Sequence, residues 1–210
     1  MKLLAKTILS LFFSLVAMAA VVTSDQALEA ATTGNLVILK KYKKAKGDFN
    51  IQDKHGLTPL MKAVANGQKK AVDYILTQSP NLELKNENND TALAMALGND
   101  QDQIAVNLIN AGAKTDILGG ENKNTMTFIA ASTNATKTLE LLTKKTPEQI
   151  NAKNKNGDTP LHEAARYGSE KTLQILLKAG AAKDAKNNEG KMPLDIAISI
   201  QNKAAANLLK

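Results

Sequence analysis

Thr159-Pro160-Leu161-His162-Glu163-Ala164-Ala165-Arg166-Tyr167-Gly168 is followed by Leu173, Ile175, Leu176 and Leu177, and then by Gly180-Ala181. Proline at the first helical position has its φ pre-set and lacks only an N–H that would have no helical partner. Thr159-Pro160 therefore predicts a turn entering a helix. Ala164 and Ala165 are small enough to let a neighbouring helix approach. Gly168 is expected to end the helix in a positive-φ turn, and the Leu/Ile run makes a second helix closed at Gly180. The stretch reads as one helix–turn–helix unit.

The unit recurs. Residues at the Thr159 position are Asp25, Thr58, Thr91, Thr125, Thr159 and Met192, at intervals of 33, 33, 34, 34 and 33. A fixed period of this length is the mark of a solenoid. On these residues the chain resembles the ankyrin repeat family: Thr58-Pro59-Leu60-Met61-Lys62-Ala63-Val64 and, more fully, Thr159 to Ala165 match its T-P-L-H-x-A-A pattern. The resemblance runs from about Asp25 to the end. It implies an all-α ankyrin-repeat solenoid with β-turn fingers, in six units of which the first and last are caps. Composition agrees, because aromatics are 3% and Trp is absent. Leu, Ile, Ala and Val must do the packing, each unit burying its apolar face against the next.

The units depart from the pattern in informative places. In the first, Asp25-Gln26 stands where Thr-Pro would be, and Ser24 or Asp25 is expected as N-cap. In the third, Asp100 replaces the helix-ending glycine. In the fourth, Gly119-Gly120 lengthens the connection before the unit and Thr146-Pro147-Glu148-Gln149 the turn after it, so the most flexible part of the stack is expected there. The sixth unit ends on Lys203, Asn207 and Lys210, as a cap would.

Ahead of the repeats, Met1-Lys2-Leu3-Leu4-Ala5-Lys6 is positive and Thr7 to Val22 is uncharged and apolar, with Ala17-Met18-Ala19 as a small-x-small site. This is the layout of a secretory signal peptide. We expect residues 1–19 to be the signal and 20–210 the repeat domain, acting in the periplasm or outside the cell. An uncleaved inner-membrane anchor is the alternative, the run being slightly short of a span. The absence of cysteine removes disulfides and thiolate chemistry.

Net charge is +7, and the loss of Lys2 and Lys6 leaves +5. Lys40, Lys41, Lys43, Lys44 and Lys46 crowd one helix end, where cations complement the helix dipole.

No residues for catalysis, a cofactor or a metal emerge. His162-Glu163-Ala164-Ala165-Arg166 begins like H-E-x-x-H but lacks the second histidine. The imidazole of His162 is expected in turn hydrogen bonds instead. His55, the other histidine, has no partner at ligand spacing. Asn154-Lys155-Asn156-Gly157-Asp158 and Asn86-Glu87-Asn88-Asn89-Asp90 look like calcium loops, but Ala165 and Leu97 stand where the bidentate glutamate belongs. Turn chemistry accounts for both.

The expected function is non-enzymatic binding of another protein by a monomer, with no nucleic acid and no transmembrane segment once the signal is cleaved. The alternative is an envelope structural or surface-binding protein that meets anionic lipid or polymer through Lys-rich faces. In the ankyrin family partners lie along the fingers and the inner helix surface. That resemblance implies Lys54, His55, Leu57, Ala65 and Asn66 in the second unit, and Glu87, Asn88, Asp90 and Asn99 in the third. It implies Glu121, Asn122, Asn124, Ser132 and Thr133 in the fourth, and Lys155, Asn156, Asp158, Arg166 and Tyr167 in the fifth. Arg166, the chain's one arginine, and Tyr167 are the residue types that concentrate binding energy.

Overall fold

Thr58, Thr91 and Thr125 each stop an extended segment and accept the N–H three residues on, from Met61, Ala94 and Phe128 respectively. Such a side-chain oxygen satisfies a donor that the first helical turn leaves open. The computed structural model, which describes residues 22–115 and 124–210, thus begins a helix at each repeat position. The proposed signal (1–19) and Gly119, Gly120, Glu121 and Asn122 lie outside the described residues.

Among the described residues, twelve α-helices pair into six units. They are α1 (Ser24–Thr33) with α2 (Leu36–Lys44), α3 (Pro59–Ala65) with α4 (Lys69–Leu76), and α5 (Ala92–Gly98) with α6 (Asp102–Asn110). Then come α7 (Met126–Ser132) with α8 (Thr136–Lys145), α9 (Pro160–Tyr167) with α10 (Glu170–Lys178), and α11 (Pro193–Ser199) with α12 (Lys203–Leu209). The first helices of successive units pack on one another as an inner row, and the second helices as an outer row. Between the rows lies a continuous core. Ala63-Val64, Ala96-Leu97, Ala130-Ala131 and Ala164-Ala165 expose nothing, and Leu39, Ile75, Leu108, Leu139 and Leu176 close it from the outer row. Three of the five aromatics among the described residues lie at the first two units, where Phe49 packs edge-on against Tyr42 and Tyr74 with centroids 5.5 and 6.3 Å apart.

Three local expectations change. The N-cap of α1 is Thr23, not Ser24 or Asp25: Gln26 N–H reaches Thr23 Oγ1 (3.2 Å) and Thr23 N–H reaches Gln26 Oε1 (3.0 Å), a capping box. The insertion after α8 forms a 3₁₀ turn, Pro147–Asn151, that buries Ile150 and Gln149; the Gln149 amide donates to Thr115 O at 3.1 Å. That segment is anchored where flexibility was expected.

Gly168 is the third. Gly34, Gly67, Asp100, Asn134 and Gln201, the equivalent residues of the other units, have φ between 55° and 74°. Gly168 is extended at φ −70°, ψ 149°. The reason is Asn134. Its amide donates to Tyr167 O (3.1 Å) and its oxygen accepts from Ser169 N–H and from Thr172 Oγ1. The turn is pulled open, and Ser169 becomes the N-cap of α10. A similar cross-unit device starts α8, whose N-cap Ala135 has no acceptor. Asp102 of the preceding unit takes the N–H groups of Lys137 (2.9 Å) and Thr138 (2.8 Å).

The fingers are built alike. Asp53, Asn86, Asn154 and Asn187 each accept two backbone N–H groups, those of residues two and four further on. The side-chain oxygen of the first asparagine of each calcium-like stretch, Asn86 and Asn154, is thereby used in turn chemistry. Successive fingers are stitched by Glu87 N–H to His55 O and Asn188 N–H to Asn156 O, both 3.0 Å.

Asp53 alone of the four is acidic. Partial burial would raise its pKa, but hydrogen bonds from Lys62 and from the Leu57 and His55 amides outweigh this and lower it to about 2. Its stabilisation is complete above the ordinary carboxylate pKa and is lost as pH falls through 4 towards 2. Asp53→Asn keeps the turn acceptor and removes the 2.8 Å ion pair with Lys62. Denaturant melts should show a loss of about 1 kcal/mol at pH 7, the pair being partly screened by water, and only a small part of that difference at pH 2.

Candidate protein-binding face

Finger tips and the last turns of the inner helices together form one side of the stack. Lys54, Asn88, Lys155 and Asn156 stand exposed on the fingers. His55 Nδ1 lies 3.0 Å from Glu87 Oε2, both side chains about half exposed. Asn66, Asn99 and Tyr167 are exposed at helix ends, and Tyr167, at 62%, is among the most exposed large hydrophobic side chains described. Two of the expected residues do not face outward. Leu57 is half-buried against the core, and Asp158 is 4% exposed.

Two grooves cross this side. One, of about 410 Å³ between the third and fourth units, gathers Asn88, Asp90 and Asn99 with Asn124 over Met95 and Ile129. Burial raises the Asp90 carboxyl pKa, partly offset by Lys85. The other, of about 540 Å³, lies between the fifth and sixth units and brings together Asn156, Asp158, Arg166 and Tyr167 with the last finger.

Arg166 is not the free contact its residue type suggests. Its guanidinium donates to Glu163 Oε2 at 2.6 Å, approaches Asp158 Oδ2 at 3.6 Å and lies 5.9 Å from the Tyr167 ring centroid. Asp158 also accepts from Asn187 Nδ2 at 2.8 Å. Burial pushes the Glu163 carboxyl up, Arg166 draws it down and Asp158 adds to the rise. Removing Arg166 would leave the buried Asp158 and the partly buried Glu163 carboxylates without their shared cation, which costs stability. Arg166 therefore acts on this face by stiffening the floor, and Tyr167 is the part presented.

The sixth unit adds residues that sequence reasoning missed: Asn188, Glu189, Lys191, Ser199 and Ile200 line the same groove, and Ile200 is 46% exposed. Each lies 33 residues beyond Lys155, Asn156, Asp158, Arg166 or Tyr167. The repeat register carried one unit further would have found them.

His162 is fully buried. Its Nε2 donates to Lys191 O at 3.0 Å and its Nδ1 accepts from Thr159 N–H at 3.1 Å, with the Thr159 hydroxyl at 2.9 Å. A carbonyl can only accept, so the proton sits on Nε2. The ring is a bolt between the fifth and sixth units. Among the described residues no group of three His, Cys, Asp or Glu side chains could hold a metal.

Residues 27–118, 98–187 and 127–210 each match the family described as "Ankyrin repeats (3 copies)". The chain belongs to the ankyrin repeat family, and it is accordingly a protein–protein interaction module on a non-catalytic scaffold. The human transient receptor potential cation channel subfamily A member 1 is 31% identical over 156 residues, 72% of this chain and 14% of that protein. A probable serine/threonine-protein kinase of Dictyostelium discoideum is 30% identical over 215 residues, 82% of this chain and 25% of that protein. The chain thus spans a quarter or less of those relatives. Among solved structures, it superposes with TM-score 0.80 and 39% identity on a chain from "Bd0816 Predatory Endopeptidase from Bdellovibrio bacteriovorus in complex with immunity protein Bd3460". That likeness covers 90% of this chain and 98% of the other.

Proposed function

We propose that this protein is exported, binds an endopeptidase on its finger side and holds it inactive, as an immunity protein does. The carrying observation is the likeness, over 90% of this chain, to one chain of a complex whose named partners are an endopeptidase and an immunity protein. An ankyrin stack fits the second role. The side chains with the most chemical potential, His162 and Arg166, are consumed in bonds between and within units. The groove flanked by Tyr167 and Ile200 offers an exposed aromatic beside polar fingers, the composition in which a few residues carry most binding energy.

Export rests on the positive, apolar and small-residue layout of residues 1–19. The protein then works as a monomer in the periplasm or outside the cell. No helix among the described residues is long and apolar enough to cross a membrane.

Capture on the purified protein from the envelope fraction of its own cells tests the reading. The expected catch is an endopeptidase whose activity falls to background at one equivalent, and the mass of the protein recovered from that fraction should begin near Ala20. Tyr167→Ala should weaken inhibition at least tenfold, about 1.4 kcal/mol, with melting unchanged. A partner without peptidase activity, or one still active at saturation, would count against it.

A further inference from the structure

Charge is segregated between the two helix rows. The outer helices α2, α4, α6, α8, α10 and α12 carry twelve lysines against Asp73, Asp102, Glu140 and Glu170. The inner helices carry Lys62 and Arg166 against Asp25, Glu29, Glu163 and Asp195. All twelve outer lysines are exposed, and only Lys69 and Lys171 sit within ion-pair distance of a described carboxylate, Asp73 and Glu140. Most of the basic balance of the chain thus lies on the side away from the fingers.

The density is greatest on α2. Val37, Lys40, Lys41 and Lys44 follow helical spacing and share one face, while Leu39 and Tyr42 on the other are buried. Val37 is 62% exposed, so an apolar side chain stands on the same face one turn ahead of the lysines. Further along the row, Lys144 and Lys178 flank a groove of about 450 Å³ whose lining includes Ile175 and Ala179.

We propose that the outer row rests on an anionic phospholipid surface, with α2 as its main contact, leaving the finger side free for the protein partner. Charge complementarity chooses the occupant. Lysines close to an anionic bilayer each gain from its negative surface potential, and an exposed apolar residue beside them suits the headgroup boundary. Nucleic acid suits it less well, because the outer row holds no arginine to fork onto phosphates or bases and no exposed aromatic to stack. The bilayer contact and the endopeptidase contact use opposite sides, so either can fail without the other.

Co-sedimentation of the full chain with vesicles decides it. The ratio of partitioning onto 30% phosphatidylglycerol in phosphatidylcholine to that onto phosphatidylcholine alone removes any charge-independent binding by the apolar N-terminal run. At 0.1 M salt, where screening acts over roughly 10 Å, that ratio should exceed ten and fall toward one at 0.5 M. Replacing Lys40, Lys41, Lys43 and Lys44 by glutamine should cut the ratio at least fivefold with helix content unchanged. Lys144→Gln with Lys145→Gln and Lys178→Gln, a second variant that leaves α2 intact, should cut it about twofold. Equal partitioning onto both vesicles would overturn the proposal. So would a ratio unaffected in both variants, or displacement of the protein from anionic vesicles by an equal phosphate concentration of duplex DNA.

Discussion

In the His162→Ala variant, stability should fall by about 3 kcal/mol, whereas His55→Ala should lose less than about 0.5. The two histidines of the chain differ in what they hold. His162 is fully buried and satisfies the Thr159 N–H and the Lys191 carbonyl at once. Truncation strands the buried Thr159 N–H at about 1 to 3 kcal/mol, unpairs the part-buried Lys191 carbonyl and leaves a cavity the size of an imidazole. His55 makes one contact to Glu87 between exposed side chains, which water and salt largely screen. Because stability in a stack is carried by unit and neighbour terms, the His162 loss falls on the junction of the fifth and sixth units. Its urea transition should therefore broaden as well as shift, with amides of α11 and α12 exchanging first. Equal midpoints for the two alanine variants would contradict the bolt.

Gly168 carries the second large effect, through a cause other than the one its place in the repeat suggests. An added Cβ would lie 2.7 and 2.9 Å from Ala164 Cα and C, and against Ala164 O as well. Backbone cannot yield there as the end of a flexible side chain could. At Gly67, φ is 63° and the nearest atom to an added Cβ is Gln101 Nε2 at 3.5 Å, ordinary contact. Asparagine separates the two requirements, since it tolerates the left-handed region but brings a Cβ. Gly67→Asn should stay within about 1 kcal/mol of the parent, and Gly168→Asn should cost about 2 kcal/mol or more, with Gly168→Val costing still more. If Gly168→Asn melted with Gly67→Asn, the turn would be left-handed after all.

What the sequence made legible and what it did not divides by range of interaction. Thr58, Thr91 and Thr125 cap from within their own turn, the Asn and Asp residues of the fingers bond their own backbone, and alanines recur at one spacing. All of these are local or periodic, so the six units and their order could be read. Gly168 could not, because Asn134, a residue of the preceding unit, sets its conformation. Arg166 has the composition of a contact residue, yet only the folded chain puts Asp158 and Glu163 beside it. The Thr23 cap is a different case: Gln26 three residues on was there to be read. The face of the sixth unit was equally within reach of the register. Charge segregation between rows follows from helix assignment and needed the stack to show which helices share a side.

The central claim, that an endopeptidase is held on the finger side, is tested most directly by hydrogen exchange of the protein free and in complex with the captured enzyme. Exchange should slow in the fingers at 154–158 and 187–191 and in the last turns of α9 and α11, around Tyr167 and Ile200. The outer helices α2, α8 and α10 should exchange as in the free protein. Slowed exchange confined to those outer helices, with the fingers unchanged, would contradict the account.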